Sequence, residues 1–317
     1  MDENYRNLLI KQQYRLYNDH SAVKLCHWMK ESMVRGRTCY KHDFYGIDSH
    51  RCLQMTPAIN ECSHMCQFCW RVQERDFEVK DWAEPKDMLD NLIKQQRLLI
   101  SGFNGDDRVS KKMFAEANEP NQVAISLAGE PITYPYLSDF LKECHRRKMT
   151  TFLVTNGTYP ERLEELDTLP MQLYITVAAP NEEVYKKVCR PKIKDGWERI
   201  MRTLELLPSL DTRTVIRHTL VKDLNLGWVD EYAALDIKGD PDLVEPKGYV
   251  FVGGSRQRLS MSNMPSFQEI KEFSQELGSR IGKEIIKEKE DSRVVLLGTS
   301  GMETDVRKLY YGSGEEA

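Results

Sequence analysis

Residues 62–69 read Cys62-Ser-His64-Met-Cys66-Gln-Phe-Cys69, which places three cysteines in one short loop. Their spacing allows the loop to wrap around a metal centre. A structural zinc ion needs four protein ligands, and no second Cys-x-x-Cys or His-x-x-x-His pattern follows to complete the set, although His64 is a weak candidate. Three cysteines on a four-iron cluster leave one iron open for an exchangeable ligand. The spacing therefore favours an iron–sulfur cluster and keeps a zinc loop as the alternative.

From about residue 54 the sequence alternates between apolar strands and amphipathic helices. Strands are predicted at 54–59, 122–128, 151–155, 172–178, 213–221 and 242–247, with helices near 85–101, 135–148, 159–166, 195–207, 227–236 and 266–281. Six such units in series predict a parallel sheet, and ligands of barrels bind where the strands end. A further strand is expected at 293–297, and residues from Glu303 onward are expected to form a mobile tail.

The composition is that of a globular protein without a membrane span. Of 317 residues, 40% are apolar and 30% charged, and no run approaches the ~20 apolar residues that cross a bilayer. The N-terminus lacks a signal peptide, so we expect a cytoplasmic protein. The net charge of −4 excludes a general polyanion binder and requires any nucleic-acid contact to be local. Eight cysteines without a secretory signal predict thiolate ligands rather than disulfides.

Two motifs together resemble the radical S-adenosylmethionine (SAM) enzymes. The cysteine loop, with Phe68 before its last cysteine, follows the first strand, and Ser126-Leu-Ala-Gly129-Glu130-Pro ends the second. The latter stretch is similar to that family's Gly-Gly-Glu-Pro motif, whereas a lone Gly-Glu-Pro would be only a turn. The resemblance implies an α/β fold, a partial TIM-like (β/α)6 radical SAM barrel with an N-terminal cluster-binding helical segment. It also implies a [4Fe-4S] cluster on the three cysteines of the loop.

The same resemblance implies where SAM binds and what it does. In these enzymes SAM chelates the open iron, and an electron from the cluster breaks its sulfonium bond to give a 5′-deoxyadenosyl radical. The implied SAM contacts are Phe68, Gly129, Glu130, Asn156 and Arg217. For Arg217 the alternative is a structural arginine that pairs with a carboxylate inside the barrel mouth.

A second set of cysteines precedes the barrel, at Cys26, Cys39 and Cys52, with twelve residues between successive members. One loop cannot hold a metal at this spacing, and three inert buried cysteines are the alternative interpretation. Their context, together with Cys69-Trp-Arg and residues 123–131, is similar to the archaeal tRNA 4-demethylwyosine synthases over nearly the whole chain. That resemblance implies a second four-iron cluster with an open iron on these cysteines.

In the same family a lysine near the second cluster forms a Schiff base with pyruvate, and Lys41 is the matching position. Without a cluster beside it, such a lysine would be expected to be solvated. Two stretches depart from the family pattern. Ala178 replaces an acidic residue, and residues 253–256, Gly-Gly-Ser-Arg, replace the usual Gly-Tyr-Ser. Substrate contacts at these two edges are therefore not assigned.

Two basic runs are candidates for contact with RNA. Residues 184–194 hold five cationic side chains and no acidic one, and a solvated loop is the alternative there. The second run, Lys142 with residues 146–148, lies at the end of a predicted helix, where the helix dipole explains it. Aromatic side chains that could stack on a splayed base, or could equally be core residues, are Trp28, Tyr40, Phe44, Tyr45 and Trp70.

By this resemblance the chain is a SAM-dependent carbon–carbon lyase that converts N1-methylguanosine at position 37 of tRNA-Phe, with pyruvate, to tricyclic 4-demethylwyosine. The pyruvate carboxyl carbon is lost. The predicted division is an N-terminal segment at 1–53, a barrel at 54–300 and a tail at 301–317, and the electron donor is expected to be a separate protein. The alternatives are a radical SAM enzyme with an auxiliary cluster that acts on another macromolecule, and a non-catalytic zinc-bearing RNA-binding module.

Overall fold

The computed structural model describes residues 1–73 and 76–312. Within these residues one sheet runs in the order β1-β2-β3-β4-β5-β6-β7-β8-β10-β9. The strands are β1 Arg15–Tyr17, β2 Ser21–Val23, β3 Cys52–Thr56, β4 Gln122–Ile125, β5 Thr150–Thr155, β6 Gln172–Thr176, β7 Arg213–Leu220, β8 Leu243–Gly248, β9 Glu284–Lys289 and β10 Val294–Gly298. Strands β3 to β8 are all parallel, and β10 closes the sheet antiparallel to β8.

Helices lie before, between and after the parallel strands, and those between them connect successive strands on the outside of the sheet. They are α1 Glu3–Lys11, α2 His27–Arg35, α3 Tyr40–Tyr45, α4 Pro85–Ile100, α5 Lys111–Ala117, α6 Leu137–Arg146, α7 Pro160–Glu164, α8 Glu182–Cys189, α9 Gly196–Leu206, α10 Val229–Gly239, α11 Phe267–Ile281 and α12 Val306–Tyr311. In α6 the buried residues Leu137, Phe140, Leu141 and Cys144 recur at the spacing of one helical face. Such faces pack on the apolar strands to form the main core. The predicted partial (β/α)6 barrel is therefore confirmed.

The N-terminal segment is continuous with the barrel rather than separate from it. Strand β2 pairs antiparallel with β3, with Ala22 opposite Thr56 and Val23 opposite Met55. Short helix α3 buries Phe44 and Tyr45 in a second core cluster that includes Phe152 and Tyr174 from the barrel strands. The segment thus packs against side chains of the barrel strands and is part of the same core.

The chain after residue 300 differs from the expected mobile tail over its described part. Asp305 caps the start of helix α12, where its side chain accepts from the Arg307 and Lys308 amides, and Val306 is fully buried. The Tyr310 hydroxyl donates to the Met171 carbonyl oxygen at 2.9 Å. Residues 313–317 of the predicted tail lie outside the described residues. The three-part division at 53 and 300 stays a prediction.

No helix among residues 1–73 and 76–312 has the length and apolar character needed to cross a membrane.

Candidate active site

The cysteine loop follows β3 at the carboxyl edge of the parallel strands. It is held by the segment after β6. The Met65 amide donates to the Cys189 carbonyl oxygen at 3.0 Å, and the Gln67 amide donates to Val188 at 2.9 Å. The Lys192 amide donates back to the Ser63 carbonyl oxygen at 2.8 Å. One of the two basic runs therefore fixes the backbone of this loop, which the sequence pattern did not indicate.

The three thiols of the loop converge on one another. Burial raises the pKa of Cys62 and Cys69, and in both the neighbouring Cys66 thiol raises it further. A hydrogen bond with the Cys189 thiol, followed by burial, raises the pKa of Cys66. Crowded thiols of this kind are stabilised as thiolates by a bound cationic metal centre, so the donor set fits an iron–sulfur cluster.

Zinc is a poorer fit to the two predicted cysteine trios. Among the described residues, the group of three metal-type side chains whose ligand atoms all lie within 4.8 Å of one another is His64, Cys66 and Cys189, and neither predicted cysteine trio is drawn so tightly together. A zinc ion with Zn–S bonds of about 2.3 Å would need such close sulfurs. The Nε2 atom of His64 is hydrogen-bonded to the Tyr185 hydroxyl at 2.7 Å, and burial lowers the pKa of His64 to about 3. Cys189 was not singled out from the sequence, since it lies over 100 residues away from the loop.

The turn after β4 presses its backbone directly against the cysteine loop. Gly129 has φ +67°, and a Cβ atom there would lie 1.9 Å from the Ala58 carbonyl oxygen and 2.9 Å from that of Glu61. The Glu130 amide donates to the same Glu61 oxygen at 2.8 Å. Glycine is required here both for the left-handed backbone and for the close approach. The turn therefore holds its backbone close to the cysteine loop, as expected for a site where backbone groups bind a polar ligand.

The Glu130 carboxylate is turned inward rather than toward solvent. It is 2% exposed and accepts from the Asn156 amide at 3.0 Å and from the Thr155 hydroxyl. Burial raises the pKa of Glu130 to about 7 despite these hydrogen bonds. This carboxylate ties the turn after β4 to the turn after β5.

Asn156 completes the connection between strand ends and cysteine loop. Its Nδ2 atom donates to the Ser63 hydroxyl at 2.8 Å and lies 3.7 Å from the Cys62 sulfur. Its Oδ1 atom accepts from the Thr158 amide at 3.0 Å and from the Thr158 hydroxyl at 2.6 Å. The Asn156 amide group is therefore fixed in orientation at the first trio.

These groups line a cavity of about 430 Å³, which we call the first cavity. Its wall includes the three loop cysteines, Phe68, Gly129, Glu130, Asn156 and, across the barrel, Arg217 and Lys247. The volume lies in the range of ordinary small-ligand sites. The structure thus brings together every predicted SAM contact at one cavity, while the contacts themselves stay predictions.

The fold also brings Cys26, Cys39 and Cys52 together, although they are far apart in sequence. Cys26 and Cys39 are the N-cap residues directly before α2 and α3, and Cys52 begins β3. Burial, together with the neighbouring Cys26 and Cys39 thiols, raises the pKa of Cys52 to about 12. The Cys52 sulfur accepts from Gln122 Nε2 at 3.3 Å, and the Cys39 sulfur accepts from the Ser49 hydroxyl at 3.5 Å. Three mutually interacting thiols at two helix starts fit a second cluster.

Lys41 lies between this second trio and the barrel strands. Its Nζ atom lies 4.4 Å from the ring centre of Phe152 and 5.0 Å from that of Tyr174. Burial, with a smaller effect of the nearby Arg217 charge, lowers the pKa of Lys41 to about 8, although Cys52, Glu245 and Cys39 oppose the shift. Within the described residues no carboxylate forms a salt bridge with this amine. The environment therefore increases the fraction of neutral amine, the form that a nucleophilic lysine requires.

Arg217 has a protein partner inside the barrel. Its Nε atom donates to Glu245 Oε1 at 2.7 Å and its Nη2 atom to the Tyr40 hydroxyl at 2.8 Å. Glu245 is fully buried and also accepts from the Tyr45 hydroxyl at 3.0 Å. Burial acts to lower the pKa of Arg217, but Glu245, Tyr40 and Tyr174 together outweigh it and the pKa is raised. This is the ion pair expected under the structural interpretation of Arg217, and its predicted contact with SAM stays untested.

Lys247 is a second buried amine of the barrel interior that the sequence pattern did not assign a role. It follows Glu245 on β8, and its Nζ atom lies 4.3 Å from the ring centre of Tyr40. Burial lowers the pKa of Lys247 to about 8, and Lys41 is among the charges that lower it. Two amines with weakened basicity therefore lie in one electrostatic environment with Arg217.

One arginine links the two cysteine trios. The Arg71 guanidinium is 6% exposed and donates to the Tyr14 hydroxyl at 2.6 Å. Burial lowers the pKa of Arg71 to about 10, while the Cys69 and Cys26 thiols both act to raise it. Since one thiol from each trio acts on this guanidinium, the two trios flank a common region of the molecule.

The residues predicted to contact RNA or substrate differ in whether they are exposed, buried or already paired with other side chains. Arg146 and Arg147 pair with Glu143, and Arg147 pairs also with Asp90, so the second basic run is largely neutralised. Of the candidate aromatics, Tyr40, Phe44 and Tyr45 are buried and Trp28 is half-buried, whereas Trp70 is 38% exposed. Ala178 is buried in the wall of the first cavity, with Thr176 and Arg217 as polar neighbours along that wall.

Comparisons with known proteins agree with this geometry. Residues 56–235 match the radical SAM superfamily, and residues 238–299 match the family described as wyosine base formation. The S-adenosyl-L-methionine-dependent tRNA 4-demethylwyosine synthase of Pyrococcus abyssi is 52% identical over 304 residues, which cover 94% of this chain and 89% of that protein. Two solved structures are similar over 96% of this chain and 99% of their own. TYW1 with a lysine–pyruvate adduct bound has a TM-score of 0.88 at 37% identity, and archaeal TYW1 has 0.80 at 33%.

Proposed function

The chain belongs to the family of S-adenosyl-L-methionine-dependent tRNA 4-demethylwyosine synthases, radical SAM enzymes of wyosine formation, and on this premise we propose its substrates and the residues that act on them. The proposed reaction joins pyruvate to N1-methylguanosine at position 37 of tRNA-Phe and gives 4-demethylwyosine. The observation that carries this proposal is the position of Lys41, whose amine lies on aromatic rings inside the barrel and beside the second cysteine trio.

The first cavity is the proposed SAM site. Cys62, Cys66 and Cys69 hold a [4Fe-4S] cluster, which together with SAM supplies the hydrogen-abstracting 5′-deoxyadenosyl radical when both are bound. Gly129 keeps the turn after β4 close to the loop, so that its backbone receives the methionine end of SAM. Phe68 and Asn156 line the same cavity. The hydrogen bonds of Asn156 to Ser63 and Thr158 hold the site in shape before SAM arrives.

Lys41 is the proposed nucleophile toward pyruvate. A neutral amine attacks the C2 carbonyl, and loss of water gives a Schiff base. The two aromatic rings and the barrel interior exclude solvent, which favours the neutral amine and the imine. The neighbouring charge of Arg217 acts in the same direction. The related TYW1 structure with a lysine–pyruvate adduct supports this assignment.

Cys26, Cys39 and Cys52 are the proposed ligands of a second [4Fe-4S] cluster. An open iron there would lie beside Lys41 and receive oxygen atoms of the pyruvate bound to it. The support is the convergence of three thiols on the side of the amine, with Cys39 two residues before it in the chain. We further propose that a separate cytoplasmic protein supplies the electron that starts the reaction. None of the eight cysteines, all of which the structure describes, is in a disulfide, so the proposed ligands are available to a cluster.

Substitution of Lys41 tests the proposal. We expect Lys41→Ala protein, reconstituted with iron and sulfide, to cleave SAM in the presence of dithionite but to form no tricyclic nucleoside. Borohydride reduction in the presence of pyruvate should leave a stable adduct on Lys41 of the wild-type protein, located by peptide mass spectrometry. Lys86→Ala, which removes an exposed lysine of α4, is the matched control and should keep both the adduct and the product. A Lys41→Ala protein with full product formation would refute the assignment.

A further inference from the structure

A second and larger depression adjoins the first cavity. Its volume is about 1230 Å³, and we call it the cationic groove. Five cationic side chains line it: Lys24, Lys30, Arg71, Arg190 and Arg258. No aspartate or glutamate lies among the lining residues within the part of the chain that the structure describes. In a protein of net charge −4, such a groove is a local site of positive potential.

The groove and the first cavity share one wall. Trp70, Arg71, Val72, Gln73 and Val252 line both. Cys26 of the second trio also lies on the groove, and Cys69 of the first trio lies next to Trp70 in the chain. A group that enters the first cavity from the groove therefore passes the Trp70 side chain.

Trp70 is held by its backbone, and its indole ring is partly exposed, with one face covered by the Arg71 guanidinium. The Gly254 amide donates to the Trp70 carbonyl oxygen at 2.9 Å. A Cβ atom at Gly253 would lie 2.4 Å from that oxygen, and one at Gly254 would lie 2.8 Å from the Arg71 carbonyl oxygen. The Gly-Gly pair, which departs from the family pattern, thus allows this loop to pack closely on residues 70 and 71. The indole remains 38% exposed, with the Arg71 guanidinium carbon 2.9 Å and the Lys24 amine 5.6 Å from its ring centre.

A buried arginine beside the indole has an unused donor. Arg71 is 6% exposed, and its Nε atom is buried without a hydrogen-bond partner. Buried donors of this kind are rare, because an unpaired one costs free energy. Together with the exposed indole it indicates a ligand that carries both an aromatic face and hydrogen-bond acceptors.

We infer that the cationic groove binds the phosphates of the anticodon loop and that the Trp70 indole stacks on one of its nucleobases, at the entrance to the first cavity. This inference rests on the proposed function. Single-stranded RNA is recognised by such combinations of cationic grooves and aromatic faces. A target base must leave the stack of its loop to reach a barrel interior. An indole at the entrance to the first cavity would replace the stacking that is lost. The other candidate aromatics are less exposed and do not line the groove.

Binding of tRNA separates this role from a structural one. The probe is fluorescein-labelled tRNA-Phe that contains N1-methylguanosine, titrated anaerobically with cluster-loaded protein and followed by fluorescence anisotropy. We expect Trp70→Ala to weaken binding about ten-fold or more and Trp70→Phe to stay within about three-fold of wild type, because phenylalanine keeps an aromatic face. Tyr310→Ala is the matched control. It removes an equally exposed aromatic (43%) that contacts Met171 at the start of β6, the opposite edge of the barrel, and should not change the affinity.

Salt dependence distinguishes stacking from phosphate contact. Arg190→Ala should reduce the slope of log affinity against log salt by about one unit, while Trp70→Ala should leave the slope unchanged, because stacking neutralises no phosphate. If Trp70→Ala loses iron, Trp70→Leu, which keeps apolar bulk, decides the question in its place. Wild-type affinity in the alanine or leucine variant would overturn the inference. Tight tRNA binding by a wild-type protein that forms no tricyclic nucleoside would instead count against the proposed function alone.

Discussion

Replacement of Gly129 by alanine should abolish the fit between the turn after β4 and the cysteine loop. An L-residue in the left-handed region costs about 1–2 kcal/mol. At φ +67° the added methyl group would also lie 1.9 Å from the Ala58 carbonyl oxygen, so one of the two backbones must move by more than about 1 Å. A displacement of this size in an active site lowers the reaction rate by about a hundred-fold. We expect SAM affinity, measured by equilibrium dialysis on iron-loaded protein, to fall by about ten-fold or more, which corresponds to about 1.4 kcal/mol of binding free energy.

Gly36→Ala isolates the steric part of this effect. Gly36 ends α2 with the same φ of +67°, but a Cβ atom there meets nothing within 4 Å. This variant should lose only the about 1–2 kcal/mol of backbone strain, a shift of a few degrees in the unfolding temperature, and should bind SAM normally. If Gly129→Ala matched Gly36→Ala in both stability and SAM affinity, the close approach of the turn to the loop would have no functional role.

Three further predictions address the second trio, the buried ion pair and pH. Cys52→Ala should lower the iron content from about eight to about four per chain while SAM cleavage is retained, as measured by iron and sulfide assays. Glu245→Ala leaves Arg217 charged and unpaired in the barrel, so urea unfolding should show a loss of about 3–5 kcal/mol. Burial acts to lower the pKa of His218, but Asp236 at 3.0 Å outweighs it and raises that pKa above 6.5. The stability of this pair is therefore present below about pH 6.5 and lost as pH rises through the folded pKa, a slope that His218→Gln should remove from the unfolding curve.

The parallel strands could be predicted from the sequence because each is a short apolar run bounded by a turn. Most predicted strands extend past the observed ends, since their last residues, such as 126–128, form the turns that build the site. Helix α8 was missed because residues 184–194 were interpreted as a charged stretch. The buried residues Val184, Tyr185, Val188 and Cys189 give it a helical face, and Asn181 caps it. Strand β9 was also not predicted. It is an edge strand rich in charged residues, and its buried and exposed side chains do not alternate clearly.

The candidate site, like the fold, was predictable from the sequence only in part. The cysteine loop and the Gly129 turn are local motifs, so their sequence alone predicts that they lie at the carboxyl edge of the sheet. Convergence of Cys26, Cys39 and Cys52 depends on two helix starts and one strand start meeting in space, and only the family resemblance indicated it. The pairing of Arg217 with Glu245 follows from the register of β7 and β8, in which the two residues are opposite each other. Long-range register of this kind is not encoded in any single stretch of sequence.

The central claim is that this chain joins pyruvate to a methylated guanosine of tRNA. We would incubate iron- and sulfide-reconstituted protein anaerobically with SAM, dithionite, carbon-13-labelled pyruvate and tRNA-Phe that contains N1-methylguanosine, and read the digested nucleosides by mass spectrometry. The account predicts a tricyclic nucleoside that forms only with pyruvate and carries its C2 and C3 carbons. Formation of 5′-deoxyadenosine without a new nucleoside would contradict the proposed substrates, and a protein that binds zinc but no sulfide would contradict the proposed clusters.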